Sequence, residues 1–220
     1  MTRSHVAPDG SPVPVYLAMP AGSAPTTVHE AIAADADILE LGCGAGRLTR
    51  VLVAYGHEIV AVDDDPRMLE HVTGAQTVCA DIYRLSLRRR FGAVVVASHL
   101  VNRPDPADRA RLLDVCARHI APGGDVLIER YPPAWAVRPR DTVGSQGPVG
   151  VSVTIHEAGP AGFSATAEYT LAGRTWQQRF SAVHVDDDTM AAAAEAAGLT
   201  LVEWLDEART WARLRPVGAG

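Results

Sequence analysis

The feature that most constrains the fold is an alternation of short apolar segments with helical segments between residues 38 and 131. Apolar runs typical of buried strands occur at 38–41, 58–62, 76–80, 92–97 and 125–131. The segments between them have helical spacing, as in residues 47–55 and 106–120, and Ala121-Pro122-Gly123-Gly124 ends the second of these. Strand–helix alternation predicts an α/β fold with a doubly wound parallel sheet and right-handed crossovers.

The pattern changes after residue 131. Residues 149–157, 163–171 and 175–185 predict three antiparallel strands, because apolar and polar residues alternate and glycine-containing turns separate them. A helix at 187–197 and a strand pair at 199–205 and 209–215 follow. We therefore expect an arm and helix (1–36), an α/β core (37–131), an antiparallel insertion (132–185) and a closing helix with two strands (186–220).

Composition excludes several chemistries. All 20 basic residues are arginine, and the formal net charge is -6. The absence of lysine excludes a lysine Schiff base and a phosphate-loop nucleotide site, and the acidic balance disfavours nucleic acid as a partner. The three separated cysteines (Cys43, Cys79, Cys116) predict neither a disulfide framework nor a metal site but a reducing cytoplasm. No signal peptide or apolar run of membrane-spanning length is evident, so we expect a cytoplasmic protein without a membrane partner.

A glycine-rich turn carries the chemistry. Residues 40–47 read Glu-Leu-Gly-Cys-Gly-Ala-Gly-Arg, follow a predicted strand and open a predicted helix. Glycines allow a tight turn and close approach of a ligand to the backbone. Asp63 and Asp64 follow the second strand, where a carboxylate reaches the crevice beside the turn and can accept hydrogen bonds from ribose hydroxyls.

Two cofactor interpretations compete at this turn. A dinucleotide fingerprint needs a small residue at the sixth position counted from Gly42, but Arg47 stands there. The pattern E-x-G-x-G-x-G instead resembles the first motif of class I S-adenosylmethionine-dependent methyltransferases. The resemblance continues in register through residues 61–69, 80–82, 91–98 and 121–128 and covers about residues 37–131.

The resemblance implies a seven-strand Rossmann-like sheet of order 3-2-1-4-5-7-6, with the three-strand insertion added to it. It also implies S-adenosylmethionine as cofactor and S-adenosylhomocysteine as product. The cofactor-binding residues that it implies are Glu40 for the amino group, Gly42, Cys43, Gly44 and Gly46 for the methionyl part, Asp63 and Asp64 for the ribose, Met68, Asp81 and Ile82 for the adenine, Ser98 for the reactive side and Tyr16 as a lid.

The acceptor pocket is expected beyond the ends of the fourth and fifth strands. There His99 is the candidate base and Tyr131 the second candidate catalytic residue, while Asn102, Arg130 and Trp135 are candidate substrate-binding residues. Ordinary structural roles stay open for each: His99 bonded to loop backbone, Asn102 in a turn and Tyr131 covering the core. Local packing is likewise open for Tyr16, Met68 and Ile82.

The predicted function is methyl transfer from S-adenosylmethionine to a small molecule in bacterial specialised metabolism, with O- or N-methylation favoured. Two alternatives stay open: a protein that uses the bound cofactor without methyl transfer, and a non-catalytic partner subunit. The antiparallel insertion is expected either to cover the acceptor site or to form a homodimer contact.

Overall fold

The computed structural model describes residues 6–7 and 9–218, so residues 1–5 and 8 of the predicted arm, and 219–220 of the closing unit, lie outside it. The described arm contains a short helix, α1 (Val13–Ala18), before α2 (Ala24–Ala31). Sequence reasoning assigned no regular structure to residues 13–18, because three prolines within residues 8–14 hide the helical spacing.

A parallel core follows the arm. It contains the strands and helices β1 (Ile38–Leu41), α3 (Arg47–Ala54), β2 (Ile59–Asp63), α4 (Pro66–Leu69), β3 (Gln76–Cys79), β4 (Phe91–Val96), α5 (Pro106–His119) and β5 (Ile120–Glu129). α7 (Asp187–Ala196), β10 (Leu199–Trp204) and β11 (Trp211–Pro216) complete it. The sheet order β10-β11-β5-β4-β1-β2-β3 confirms the predicted order 3-2-1-4-5-7-6, because β10 and β11 are the sixth and seventh core strands.

Apolar side chains cover both faces of this sheet, as a doubly wound fold requires. One layer joins Leu39, Leu41 and Val94 to helices α5 and α7, and the other joins Ile38 and Val95 to α2 and α3. Successive residues of a strand point to opposite faces. The Glu40 side chain therefore lies on the α3 side of the sheet, where it meets Thr49.

A second sheet stands beside the core, and we call it the roof. It contains four antiparallel strands, β6 (Thr142–Gln146), β7 (Val149–Gly159), β8 (Gly162–Leu171) and β9 (Arg174–Val183), in that order, with α6 (Pro133–Ala136) before them. Sequence reasoning predicted only three of these strands. β6 was missed because its residues are all exposed and lack the apolar alternation that marks a half-buried strand.

The described residues contain no helix that is both long and apolar enough to cross a membrane.

Some strand boundaries differ from the predicted ones. β5 begins at Ile120 instead of Asp125, and a register irregularity between Phe91 and Ala93 lets the Pro122-Gly123-Gly124 stretch remain within the strand. These shifts leave the carboxyl ends of β1, β2, β4 and β5 together at one edge, which we call the site edge.

Candidate active site

The glycine turn between β1 and α3 forms the base of the site edge. Gly42, Gly44 and Gly46 all have left-handed φ values (75°, 54° and 75°), which other residues adopt only under strain. The amides of Gly42 and Cys43 donate to the Val62 carbonyl at 2.8 and 2.9 Å, and this ties the turn to β2. A methyl group added at Gly44 would meet no atom within 4 Å, so its backbone stays open to a ligand.

Asp63 is fixed beside this turn. One carboxylate oxygen accepts the Gly44 amide at 2.8 Å, and the other accepts the Asp65 amide at 3.0 Å. Burial raises the pKa of Asp63, and the two amides oppose that shift. Each oxygen accepts one bond from the protein and keeps further acceptor capacity. The geometry therefore fits a carboxylate that receives hydroxyl donors, as a ribose would supply.

Glu40 lies almost completely buried, with 2% of its surface exposed, and the Thr49 hydroxyl donates to it at 2.7 Å. Burial raises its pKa to about 7, while Thr49 and the charge of Arg47 act in the opposite direction. A buried carboxyl group with so high a pKa is suited to an ammonium partner, which would restore its charge. Burial also raises the pKa of the neighbouring Cys43 thiol, so Cys43 stays neutral.

The predicted adenine-binding residues are distributed around the ends of β2 and β3. Met68 is buried against Ala7, Val13 and Ala45, so the arm packs over the side where the sequence places the adenine. Ile82 is buried in the core, whereas Asp64 and Asp81 are exposed. Asp81 caps its own turn by accepting the Tyr83 amide at 2.8 Å.

The loop after β4 is strained. Ser98 and His99 both adopt left-handed φ values (58° and 59°), which cost about 1–2 kcal/mol each for residues other than glycine. Glu129, at the end of β5, accepts the Ser98 amide at 2.6 Å and holds this conformation. Strain of this kind is common at functional sites.

His99 lies under an aromatic cluster. Its ring stacks on Tyr131 with centroids 4.0 Å apart, and Tyr131 contacts Trp135 and Phe163 at 5.4 and 5.5 Å. Burial lowers the pKa of His99, so the ring is neutral, and its Nδ1 is buried without a hydrogen-bond partner among the described residues. Burial raises the pKa of Tyr131, so its phenol stays protonated.

Arg130 does not reach the acceptor side, contrary to the sequence prediction. Its side chain is fully buried and stacks on Trp204 at 3.7 Å. Its three nitrogens donate to the Arg209 and Val185 carbonyls and to Asp187, at 2.9, 2.6 and 2.6 Å. The guanidinium therefore joins β5 to the segments around α7, which is a structural role.

Asn102 also has its hydrogen bonds committed. It is 1% exposed, accepts the Tyr131 amide at 3.0 Å and donates to the Val183 carbonyl at 2.9 Å. It thus joins the end of β9 to the segment after β5. These bonds favour the structural role that the sequence left open over direct substrate binding. Trp135, by contrast, packs against Tyr131 and Phe163 beside His99, where the sequence places the acceptor.

Tyr16 connects the arm to the roof. Its hydroxyl donates to the Gln178 side chain at 3.4 Å, as does the Tyr169 hydroxyl at 3.2 Å. Gln178 in turn donates to the Ser11 hydroxyl at 3.0 Å and to the Asp9 carbonyl at 3.3 Å. The arm is therefore fastened between the glycine turn and the inner face of the roof.

The sequence assigned no site role to three residues that the structure brings here: Arg47, Tyr169 and Gln178. Gln178 was detectable, because it is a polar residue at an inward position of β9, between Trp176 and Phe180. In the sequence Arg47 is notable only as a residue too large for a dinucleotide turn. Tyr169 carries no local pattern, since its partner Gln178 lies on the next strand.

Solved structures share this fold. A S-adenosylmethionine-dependent methyltransferase from Clostridium acetobutylicum superposes with a TM-score of 0.72 at 15% identity, covering 88% of each chain. The CcbJ methyltransferase from Streptomyces caelestis has a TM-score of 0.71 at 20% identity over 90% of each chain. The sugar N-methyltransferase KedS8 from Streptoalloteichus has a TM-score of 0.69 at 22% identity, covering 87% of this chain and 84% of its own.

Sequence comparison covers part of the chain. Residues 38–124 match the family model described as a methyltransferase domain. Carboxy-S-adenosyl-L-methionine synthase of Yersinia pestis is 33% identical over 112 residues, which is 44% of this chain and 41% of that relative. The chain thus matches less than half the length of these curated relatives. The resemblance to the class I S-adenosylmethionine-dependent methyltransferases is confirmed, because residues 38–124 match a methyltransferase domain model and the chain shares the fold of solved methyltransferases.

Proposed function

We propose that the protein transfers a methyl group from S-adenosylmethionine to a small-molecule acceptor, with a nitrogen atom favoured over oxygen. The observation that carries the proposal is the fastening of Asp63 to the open glycine turn, by the 2.8 Å bond from the Gly44 amide. This arrangement offers backbone and a carboxylate to the same ligand. The methyltransferase domain match over residues 38–124 supports it.

Different residues of the site edge would bind different parts of the cofactor. Asp63, bonded to the Gly44 amide, would accept the ribose hydroxyls, the open backbone around Gly44 would face the methionyl part, and Glu40 would accept from the amino group. The cofactor supplies a methyl group on a sulfonium, and its displacement leaves S-adenosylhomocysteine. Alignment of the acceptor with that methyl group supplies most of the rate enhancement in such a displacement.

The aromatic cluster would position the acceptor. Tyr131, Trp135 and Phe163 form a wall of flat rings beside the strained Ser98–His99 loop. An ammonium acceptor must lose a proton before its lone pair can attack, and a neutral imidazole can accept that proton. His99 is suited to this role, since burial lowers its pKa and leaves its Nδ1 without a partner among the described residues.

Nitrogen is favoured because of the structural neighbours. KedS8 is described as a sugar N-methyltransferase, CalS10 as an amino pentose methyltransferase and MtfA as a glycopeptide N-methyltransferase. We therefore include amino sugars among the candidate acceptors, and place the protein in bacterial specialised metabolism. The reaction forms a nitrogen–carbon bond as the carbon–sulfur bond breaks.

The test combines binding with turnover. Purified protein is titrated with S-adenosylmethionine and S-adenosylhomocysteine by calorimetry, and then incubated with a panel of amino sugars, other amines, phenols and alcohols. We expect S-adenosylhomocysteine together with an amine heavier by one methylene unit. Turnover of hydroxyl acceptors alone would move the assignment from nitrogen to oxygen. No binding of either cofactor form would overturn the proposal.

A second candidate function comes from the curated relatives. Their name describes synthesis of carboxy-S-adenosyl-L-methionine, a derivative of the cofactor, instead of transfer of its methyl group. The same incubations, run without an acceptor and with cell extract as a source of co-substrate, separate the two functions. A product heavier than S-adenosylmethionine by one carboxyl group would favour the second function. Binding without any product would favour a partner subunit.

A further inference from the structure

One cation at the site edge has no anionic partner among the described residues. Arg47 is the first residue of α3, directly after the glycine turn, and it is half-buried. One terminal nitrogen lies 3.4 Å from the Pro20 carbonyl and 3.7 Å from the Met19 sulfur, and the other lies 3.4 Å from the Ser98 hydroxyl. Both contacts to oxygen are long, since a well-formed N–H···O bond measures about 2.9–3.0 Å.

Other arginines of the fold are better satisfied. Arg67, Arg89 and Arg130 each meet a carboxylate at 2.6–2.8 Å. Arg90 and Arg118 bond carbonyls at 2.8 and 3.0 Å. Arg47 has no carboxylate within ion-pairing distance in residues 6–7 and 9–218, although it lies where the fold brings most of its candidate ligand-binding groups together. A guanidinium offers five donors in a planar fork that matches a carboxylate.

The surroundings of Arg47 indicate which carboxylate it would meet. Its charge is close enough to Glu40 and to His99 to lower the pKa of each, so Arg47 lies near both the group proposed for the cofactor's amino nitrogen and the proposed base. The amino and carboxylate groups of an α-amino acid are attached to one carbon. A ligand whose ammonium reaches Glu40 therefore carries its carboxylate close by, on the side that Arg47 occupies.

The arm encloses the same position. The Arg47 guanidinium lies 5.6 Å from the centre of the Tyr16 ring, while its Nη1 points to the Pro20 carbonyl at 3.4 Å. Contacts with a ring face and a carbonyl edge limit how the fork can turn. They also exclude water from part of the guanidinium, which strengthens its attraction for an anion.

We propose that Arg47 binds the α-carboxylate of the methionyl group of the cofactor, opposite the ammonium site at Glu40. The inference rests on the proposed function, because it assumes that S-adenosylmethionine occupies the site edge. It adds a ligand-binding residue that the motif did not assign. The alternative role of Arg47 is only to tether the arm through Pro20 and Tyr16.

A pair of ligands separates these two roles. S-Adenosylhomocysteine is compared by calorimetry with its decarboxylated counterpart, which keeps the adenosine, the sulfur and the amino group. Removal of a charged hydrogen bond costs a factor of about 10 to 100 in affinity. We expect Arg47→Met to weaken S-adenosylhomocysteine by that factor, and to leave the decarboxylated ligand unchanged within about threefold. Wild-type protein should show the same preference for the carboxylated ligand.

Arg47→Lys keeps the positive charge but loses the planar, bidentate guanidinium. Its affinity for S-adenosylhomocysteine should therefore lie between those of wild type and Arg47→Met. The control is Arg111→Met, an exposed arginine on α5 that pairs only with Asp108. Thermal unfolding of all variants, by circular dichroism, reports whether they fold.

An equal loss for both ligands would assign Arg47 to the arm and overturn the inference. So would unchanged binding in Arg47→Met, provided that Asp63→Ala weakens the same ligand. That result would leave the proposed function intact. Failure of wild-type protein to bind S-adenosylhomocysteine would instead overturn the proposed function, and this inference with it.

Discussion

At the site edge of the parallel sheet the candidate site consists of a backbone turn and two carboxylates. The roof instead contributes aromatic and amide side chains. The edge presents the open glycine turn together with Asp63, held by two amides, and Glu40. The roof presents Phe163, Tyr169 and Gln178 from adjacent strands. The backbone of the glycine turn suits a ligand that is the same in every such reaction. The side chains of the roof can be substituted without disturbing that turn. We therefore propose that the cofactor binds at the site edge and that the roof covers the acceptor.

The largest expected effect concerns the connection between these two regions. Arg130, after β5, reaches Val185, which follows the last roof strand, and also Asp187 at the start of α7. Arg130→Met would leave these groups without their buried partner. The Val185 and Arg209 carbonyls would each lose a charged donor, at about 1–3 kcal/mol apiece, while Asp187 is 35% exposed and would keep Arg209. We expect the free energy of unfolding to fall by about 2–5 kcal/mol, as measured by urea denaturation.

The control for Arg130 is Arg209→Met. Arg209 pairs with the same Asp187 but is exposed, so its loss should cost less than about 1 kcal/mol. Unchanged stability in Arg130→Met, together with a raised KM for the acceptor, would restore the substrate-binding role that the sequence suggested. It would also mean that the two regions are held together without this arginine.

The next effect tests the edge alone. Asp63→Ala removes the acceptor of the Gly44 and Asp65 amides as well as the proposed ribose ligand. We expect the Kd for S-adenosylhomocysteine to rise at least about 100-fold, equivalent to about 3 kcal/mol. Asp114→Ala, at an exposed position on α5, is the matched control and should bind as wild type does. Wild-type affinity in Asp63→Ala would place the cofactor elsewhere.

The edge was predictable from the sequence because its parts are local. Glu40, the glycines and Arg47 lie within eight residues, and Asp63 follows one strand later, so their order alone brings them together. The strand–helix alternation predicted the parallel sheet for the same reason, and the family resemblance supplied the strand order. Parallel strands joined by helices have few alternative arrangements.

The roof was less predictable because its contacts join distant residues. The Tyr16–Gln178 bond spans 162 positions, and only the register of β8 against β9 aligns Tyr169 and Gln178 on one face. Arg130 illustrates a second limit. An arginine after a core strand looks the same in sequence whether it faces a pocket or fills one. Burial decided the outcome, and no local pattern encodes it.

A third expected effect tests whether the roof can be loosened without harm to the edge. Gln178 is 9% exposed and bonds Tyr16, Tyr169 and Ser11. Gln178→Ala would leave buried hydroxyls unpaired, at a cost of about 2 kcal/mol in the free energy of unfolding. The affinity for S-adenosylhomocysteine should change by less than about fivefold.

The neighbouring residue provides the control. Gln177→Ala changes the outer face, where Gln177 bonds the exposed Glu168 at 3.0 Å, so it should cost no more than about 0.5 kcal/mol. Urea denaturation and calorimetry measure both quantities. A large loss of cofactor affinity in Gln178→Ala would contradict the division between edge and roof, because the roof would then support the cofactor site through Tyr16.

The smallest effect concerns the charge of Glu40. Burial raises the pKa of its carboxyl group to about 7 in the free protein, and the ammonium group of a bound cofactor would favour the carboxylate and lower that pKa. Binding therefore releases a proton wherever Glu40 is protonated beforehand. Above pH 7 little of it is protonated, and affinity is nearly constant. As the pH falls below 7, affinity should decline by up to about tenfold per pH unit.

Calorimetry with S-adenosylhomocysteine at pH 6, 7 and 8 measures this decline. Glu40→Gln removes the titrating group, so its weaker binding should be nearly independent of pH across the same range. Glu58→Gln, at an exposed position just before β2, should keep the full dependence. A decline that persists in Glu40→Gln would belong to Asp63, whose pKa burial also raises, and would move the ammonium site from Glu40. Whether Glu40 or Asp63 titrates, the pH dependence of affinity arises at the site edge. Gln178→Ala should therefore leave that dependence unchanged.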